Sequence, residues 1–149
     1  MADLSTARQA PPLDLPSGVR LLPPAARFTL RGGAPVMAAA GVALGLTISE
    51  AACRSSANQD RAVLWMGPDE QLILAAADSG QSLGAHLRDA LSALPHSLVE
   101  MSHRQLALEV SGPTTQTLLN ARCPLDLHIS AFPIRMCTRT MLGKADIVL

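Results

Sequence analysis

The sequence predicts an α+β domain with a largely antiparallel sheet. Two apolar runs flank a Gly-Pro-Asp turn, leucines recur at helical spacing, and runs of strands alternate with single helices. The predicted order is β-α-β-β-α-β-β-α-β-β. Its first six elements match a split β-α-β-β-α-β (ferredoxin-like) unit, extended by further antiparallel strands.

The first strand and helix are predicted from alternation and from proline placement. Residues 27–31 alternate polar and apolar side chains, as a half-buried strand does. After a glycine pair, Pro35 stands where a first helical turn accepts proline, so we expect a helix over residues 36–46. Within it, Gly41 and Gly45 are four residues apart, a spacing that favours close packing of helices.

A hairpin and an amphipathic helix follow. Residues 62–66 and 71–75 are apolar and flank the turn sequence Gly-Pro-Asp-Glu at 67–70, which predicts a β-hairpin. Residues 81–94 carry one apolar stripe and end at Pro95, which predicts a helix. The stripe consists of Leu83, Leu87, Leu91 and Leu94.

The second half is predicted to be richer in strands. We expect two strands at residues 97–102 and 105–110, a short helix opened by Pro113, a helical turn at 130–132, and a hairpin of 136–142 with 145–149. The given sequence stops inside the last apolar strand. We therefore expect either that a C-terminal segment is missing or that a partner covers this strand.

The beginning of the chain differs in composition. Residues 1–26 contain five prolines, which remove backbone donors and disfavour both helices and central strands. We expect an extended arm, either disordered alone or laid along a partner. The folded domain is then predicted to span residues 27–149.

Composition excludes several classes of protein. Hydrophobic residues make up 48% and charged residues 16%, which suits a packed core rather than a disordered chain. The net charge is zero without a dense basic block, and aromatics are 2%, which argues against nucleic-acid binding. The most apolar run, residues 34–48, is shorter than the roughly 20 residues of a membrane span. With no secretory pattern at the start, we expect a cytoplasmic protein without membrane contact.

Residue types that carry chemistry are present but do not form a known catalytic pattern. Cys53, Cys123 and Cys137 lack CxxC spacing and nearby histidines, which favours free thiols over a zinc site or a disulfide framework. The adjacent Asp69 and Glu70 are predicted to be turn residues, because an acid/base pair needs opposed carboxylates. The sequence therefore predicts no catalytic, cofactor-binding or metal-binding residue in this chain.

One polar set remains a candidate for contact with a partner or ligand. His103 and Arg104 lie at the junction of two predicted strands, and Asp126, Arg135 and Arg139 belong to the charged residues that follow. Such a set can hold a carboxylate-bearing ligand or pair across a subunit interface. Ordinary surface ion pairs explain it equally well.

Five short blocks in order carry a family resemblance. They are Trp-Met-Gly-Pro-Asp-Glu at 65–70, Ser-His-Arg-Gln at 102–105 with Leu-Glu-Val-Ser-Gly-Pro at 108–113, Leu-Asn-Ala-Arg-Cys-Pro-Leu-Asp-Leu at 119–127, the segments 132–133 and 137–140, and Gly-Lys-Ala-Asp-Ile-Val-Leu at 143–149. Together they resemble gamma subunits of heterotetrameric sarcosine oxidases. Arg122 departs from the pattern, since a small residue is usual there.

The resemblance implies both a fold and a function. The fold would be related to the folate-binding domain of the glycine-cleavage aminomethyltransferases. The chain would be an accessory, non-catalytic gamma subunit beside alpha, beta and delta subunits. That complex oxidises sarcosine to glycine, passes the one-carbon unit to tetrahydrofolate and releases hydrogen peroxide. FAD, FMN, NAD, tetrahydrofolate and zinc would be bound by the other subunits.

Two alternatives stay open at this point. One is a self-sufficient folate-dependent protein that resembles an aminomethyltransferase. The other is a generic α+β interaction domain.

Overall fold

The computed structural model describes residues 15–149, which form nine strands and three α-helices. The strands are β1 (Val19–Leu21), β2 (Ala25–Arg31), β3 (Ser55–Ala57), β4 (Arg61–Gly67), β5 (Glu70–Ala76), β6 (Ser97–Glu100), β7 (Leu108–Val110), β8 (Arg139–Leu142) and β9 (Ala145–Val148). The helices are α1 (Ala34–Leu44), α2 (Gly80–Ala90) and α3 (Thr115–Asn120).

The main sheet has five strands in the order β3-β4-β5-β2-β6, and all neighbouring strands are antiparallel. Without β3, the order β4-β5-β2-β6 is that of a split β-α-β-β-α-β unit. This confirms the predicted α+β class. The two edge strands have three and four residues, whereas the three inner strands have seven each.

The hydrophobic core lies between one face of this sheet and the two longer helices. Phe28 and Ile73 are fully buried on the sheet side, Val36 and Leu44 on α1, and Leu87 on α2. Burying an aliphatic or aromatic side chain of this size stabilises the fold by about 1.5–3 kcal/mol. Because the predicted leucine stripe supplies this packing, α2 is confirmed, although it ends four residues earlier than predicted.

Helix α1 ends in a left-handed glycine. Its first turn contains the expected proline, and it stops two residues before the predicted end because Gly45 adopts a φ of 67°. The Leu46 N–H donates to the carbonyl of Gly41, and the Gly45 N–H donates to that of Val42, at 3.1 and 3.2 Å. These two hydrogen bonds define a Schellman motif, which satisfies carbonyls at the helix terminus.

Two short strands are not predicted by the sequence patterns. One is β3, at the edge of the main sheet, and the other is β1, which pairs with β7 outside it. Strand β1 lies within the predicted extended arm, and β2 begins at Ala25, inside that arm as well. Residues 1–14 of the arm lie outside the described part of the chain. The division into arm and domain stays a prediction.

The C-terminal part folds as a turn-rich segment that ends in a hairpin. The predicted last hairpin is confirmed as β8 and β9, joined at residues 143–144. The predicted helical turn at 130–132 is present as one turn that does not continue into a helix. There the carbonyl of His128 accepts hydrogen bonds from the N–H groups of Ala131 and Phe132, and Pro133 follows, so a turn forms that cannot extend. None of the helices in the described range, residues 15–149, is long and apolar enough to cross a membrane.

Candidate functional site

Glu70 is a buried carboxylate with two arginine partners. It opens β5 and points away from the helix-covered face, because the alternating neighbours Gln71 and Ile73 point toward that face. Its Oε2 accepts from Nη2 of Arg31 at 2.5 Å, and its Oε1 accepts from Nη2 of Arg139. The carboxylate side chain is 7% exposed, whereas the two arginines are 56% and 55% exposed.

We call these three residues, Arg31, Glu70 and Arg139, the Glu70 cluster. It connects three strands, since Arg31 ends β2, Glu70 is its partner on β5, and Arg139 begins β8. The cluster therefore joins the C-terminal hairpin to the main sheet. Both carboxylate oxygens accept hydrogen bonds from arginines, so the geometry suits an ionic cross-link rather than acid/base chemistry.

Sequence reasoning missed this cluster. The prediction that Asp69 and Glu70 are turn residues holds for Asp69, which is exposed in the hairpin turn. For Glu70 it is wrong, because the carboxylate is buried against arginines that lie 39 and 69 residues away. Adjacency in sequence carries no signal for partners at such separations.

The five residues of the predicted polar set do not come together. Within residues 15–149, no hydrogen bond or ion pair joins any two of His103, Arg104, Asp126, Arg135 and Arg139. Arg139 alone among them enters the Glu70 cluster.

The other four members occupy separate exposed positions. His103 and Arg104 lie in a turn in which the Arg104 N–H donates to the Met101 carbonyl at 3.0 Å. The carboxylate of Asp126 accepts from the N–H of His128 at 2.9 Å. Arg135 acts through its backbone, because its carbonyl accepts from the N–H of Ser55 at 2.9 Å. A role for the set in ligand or partner contact stays a prediction.

The cysteines are free thiols, and two of them, Cys123 and Cys137, are buried. Cys137 is 1% exposed and its Sγ donates to the carbonyl of Trp65 at 3.7 Å. Burial raises the pKa of the Cys137 thiol, which disfavours the reactive thiolate. In the part of the chain described here, no three His, Cys, Asp or Glu side chains lie together as a potential metal site.

A cleft of about 660 Å³ opens between α1, the loop at residues 45–50 and the β4–β5 hairpin. We call it the α1 cleft. Trp65 and Gln71 pair across the hairpin and line it, together with Val42 and Leu46 from α1 and the loop after it. Its volume and mainly apolar lining are typical of binding clefts. The sequence analysis did not predict this cleft. The sequence feature that could have indicated it is the absence of any charged residue from position 32 to position 49.

The sequence model of the family described as "Sarcosine oxidase, gamma subunit family" matches residues 31–149. The chain belongs to the sarcosine oxidase gamma subunit family. This confirms the resemblance drawn from the short sequence blocks.

The chain is also similar to individual members of the gamma subunit family. The chain is 36% identical over 132 residues to the sarcosine oxidase subunit gamma of Arthrobacter sp, which covers 89% of this chain and 60% of that protein. It is 40% identical over 88 residues to the subunit gamma of Corynebacterium sp. (strain P-1), covering 59% of this chain and 42% of that one. The chain thus spans 60% or less of the length of these two relatives.

A solved structure shows the same fold. A chain of the heterotetrameric sarcosine oxidase from Corynebacterium sp. U-96, determined in complex with pyrrole 2-carboxylate, superimposes with a TM-score of 0.81 at 28% identity. The alignment covers 88% of this chain and 68% of that chain. The gamma subunit family and the observed α+β architecture are therefore consistent with each other.

Proposed function

We propose that this chain is an accessory gamma subunit of a cytoplasmic heterotetrameric sarcosine oxidase. The observation that carries the proposal is the match of the gamma subunit family over residues 31–149. The complex would oxidise sarcosine to glycine, transfer the one-carbon unit to tetrahydrofolate and release hydrogen peroxide.

A non-catalytic role for this chain is supported by the environment of its reactive groups. Glu70 is held by two arginines, and Cys137 is buried with a raised thiol pKa. A nucleophile needs an adjacent base and access to substrate, and neither residue combines them. Catalysis would then belong to the alpha, beta and delta subunits, with FAD, FMN, NAD, tetrahydrofolate and zinc bound there.

Co-expression with the other subunits tests the proposal. The chain is produced with a tagged alpha subunit and untagged beta and delta subunits, and the complex is isolated through the tag. We expect the chain in the purified complex in an amount equal to alpha, and no flavin absorbance in the chain purified alone. A stable monomer that is absent from the tagged complex would contradict the proposal.

The same preparation tests the aminomethyltransferase alternative. The isolated chain is titrated with tetrahydrofolate and assayed for one-carbon transfer. Saturable binding together with transfer would replace the accessory role by a catalytic one.

A further inference from the structure

Helix α1 presents an apolar face that nothing in the described chain covers. Residues 32–49 contain no charged side chain, and a helix that is apolar all round is normally buried on every side. Here one side packs into the core, whereas Ala34, Ala38 and Val42 lie at successive four-residue spacings on the exposed side. Val42 is 86% exposed. All three line the α1 cleft.

Gln71 supplies a polar group inside this apolar cleft. The residue is 4% exposed and lies on the same sheet face as Ile73, two residues along β5. Among residues 15–149, the Gln71 amide forms no side-chain hydrogen bond. No completely buried side-chain N or O atom in this range lacks a hydrogen-bond partner, so the amide is not completely buried and is open to the cleft. Water in the cleft can reach this amide, and an occupant that displaces the water must supply the hydrogen bond in its place.

Among residues 15–149, a single charged side chain lines the cleft, at its rim. Of the described residues that line it, Glu50 is the charged one, and it forms no ion pair within residues 15–149. A basic group on the occupant would complement this carboxylate.

We propose that the α1 cleft docks an extended apolar segment of another subunit of the oxidase. A backbone peptide group of that segment offers Gln71 both a donor and an acceptor, and a basic side chain on it faces Glu50. A small molecule inside the cleft would leave the exposed apolar surface around Val42 in water, whereas a polypeptide can cover the cleft and this surface together. This inference rests on the proposed function.

Matched helix substitutions in the complete complex test the docking face. Ala38 on α1 and Ala85 on α2 are both exposed near the middle of 11-residue helices, so Ala38→Glu and Ala85→Glu make the same change on different faces. Each variant is co-expressed with tagged alpha, beta and delta. We expect recovery of A38E with the complex to fall by about tenfold or more, because an unpaired charge is buried, and recovery of A85E to equal the wild type.

Gln71→Met adds a readout that a merely structural role would not produce. Methionine keeps the length of the side chain but removes the amide. The isolated Q71M chain is expected to melt no lower than the wild type, because within residues 15–149 the amide forms no side-chain hydrogen bond that the substitution would break. Its dissociation from the complex should be roughly three- to tenfold faster, which corresponds to one lost hydrogen bond.

The outcomes separate the two proposals. If the wild-type chain fails to join the complex, the proposed function and this inference both fall. If the wild type joins and A38E or Q71M joins equally well, the docking site is refuted while the gamma subunit role stands. Equal loss of A38E and A85E would also refute a specific role for α1. A homodimer that A38E disrupts without affecting the complex would also refute the docking site. The same holds for a small molecule that native mass spectrometry detects on the assembled wild-type complex but not on the A38E complex.

Discussion

The carboxylate of Glu70 is buried although both of its guanidinium partners are about half exposed. A buried charge is costly unless it is paired and hydrogen-bonded. Arg31 and Arg139 meet that requirement from two different strands, while their own exposed surfaces stay hydrated. The cluster therefore stabilises a contact between distant parts of the chain, and the buried charge of Glu70 is paired with two arginines.

Glu70→Gln should destabilise the chain more than the same change at an exposed ion pair. The neutral amide keeps the size of the side chain but loses the charge, and its NH₂ group meets a guanidinium donor. We expect a loss of about 1–2 kcal/mol in the free energy of unfolding, measured in urea. The control is Glu109→Gln, whose partner Arg20 is 65% exposed, and there the expected loss is below about 0.5 kcal/mol. Equal losses would contradict a structural role for the cluster.

Cys137 should make stability depend on alkaline pH. Its pKa is raised in the folded chain, so above the ordinary thiol pKa of about 8.5 the unfolded chain loses the proton first. The stabilisation is thus complete below that pH and is lost as the pH rises through the folded-state pKa. The advantage of the wild type over Cys137→Ala should shrink between pH 8 and pH 10, by at most about 1.4 kcal/mol per pH unit. A difference that is independent of pH would show that the thiol is not shielded.

At the scale of elements, α1 combines a firmly fixed end with an unusual surface. Its last carbonyls are satisfied by the Schellman motif, and the side-chain amide of Asn58 donates to the carbonyls of Leu44 and Gly45 at 3.3 Å each. These contacts hold the loop that forms one wall of the α1 cleft. Backbone hydrogen bonds and the Asn58 side chain thus position this wall of the cleft.

Gly45→Ala should weaken this helix end. A left-handed conformation costs a residue with a Cβ roughly 1–2 kcal/mol. The added methyl group would lie 3.9 Å from the Asn58 amide, so backbone strain rather than a clash is expected to act. We expect about 1 kcal/mol lower stability in urea unfolding, and a smaller loss for Gly45→Asn, because asparagine tolerates this conformation. Equal effects of alanine and asparagine would argue against the strain.

At the scale of the whole molecule, the sheet was predictable where elements are long and periodic. The hairpin of β4 and β5, the leucine stripe of α2 and the alternation in β2 indicate the split unit and its antiparallel pairing. Strands β1 and β3 have three residues each, which is too short for any periodicity to appear. Their pairing depends on tertiary contacts instead.

The candidate site was less predictable than the fold. The residues of the Glu70 cluster come from distant parts of the chain, and the sequence grouped Arg139 with His103, Arg104, Asp126 and Arg135 rather than with Glu70. The spacing of Gly41 and Gly45 predicted close packing of helices, but Gly41 lies against the loop at Leu46 and Ile48, and Gly45 is the left-handed residue that follows α1. The apolar sequence did not predict that one face of the helix would stay uncovered. Burial of Gln71 results from the register of β4 against β5, which composition does not encode.

The short edge strands of the main sheet bear on the tendency of the chain to associate with copies of itself. A long, flat edge exposes unpaired N–H and C=O groups and promotes strand addition and aggregation. Here β3 and β6 offer three and four residues, and β6 ends in the charged Glu100. Such edges disfavour open-ended growth of the sheet between copies. Other chains therefore have little exposed strand backbone in this sheet to pair with. Side-chain surfaces, which select a partner by its shape and chemistry, remain for contacts with other chains.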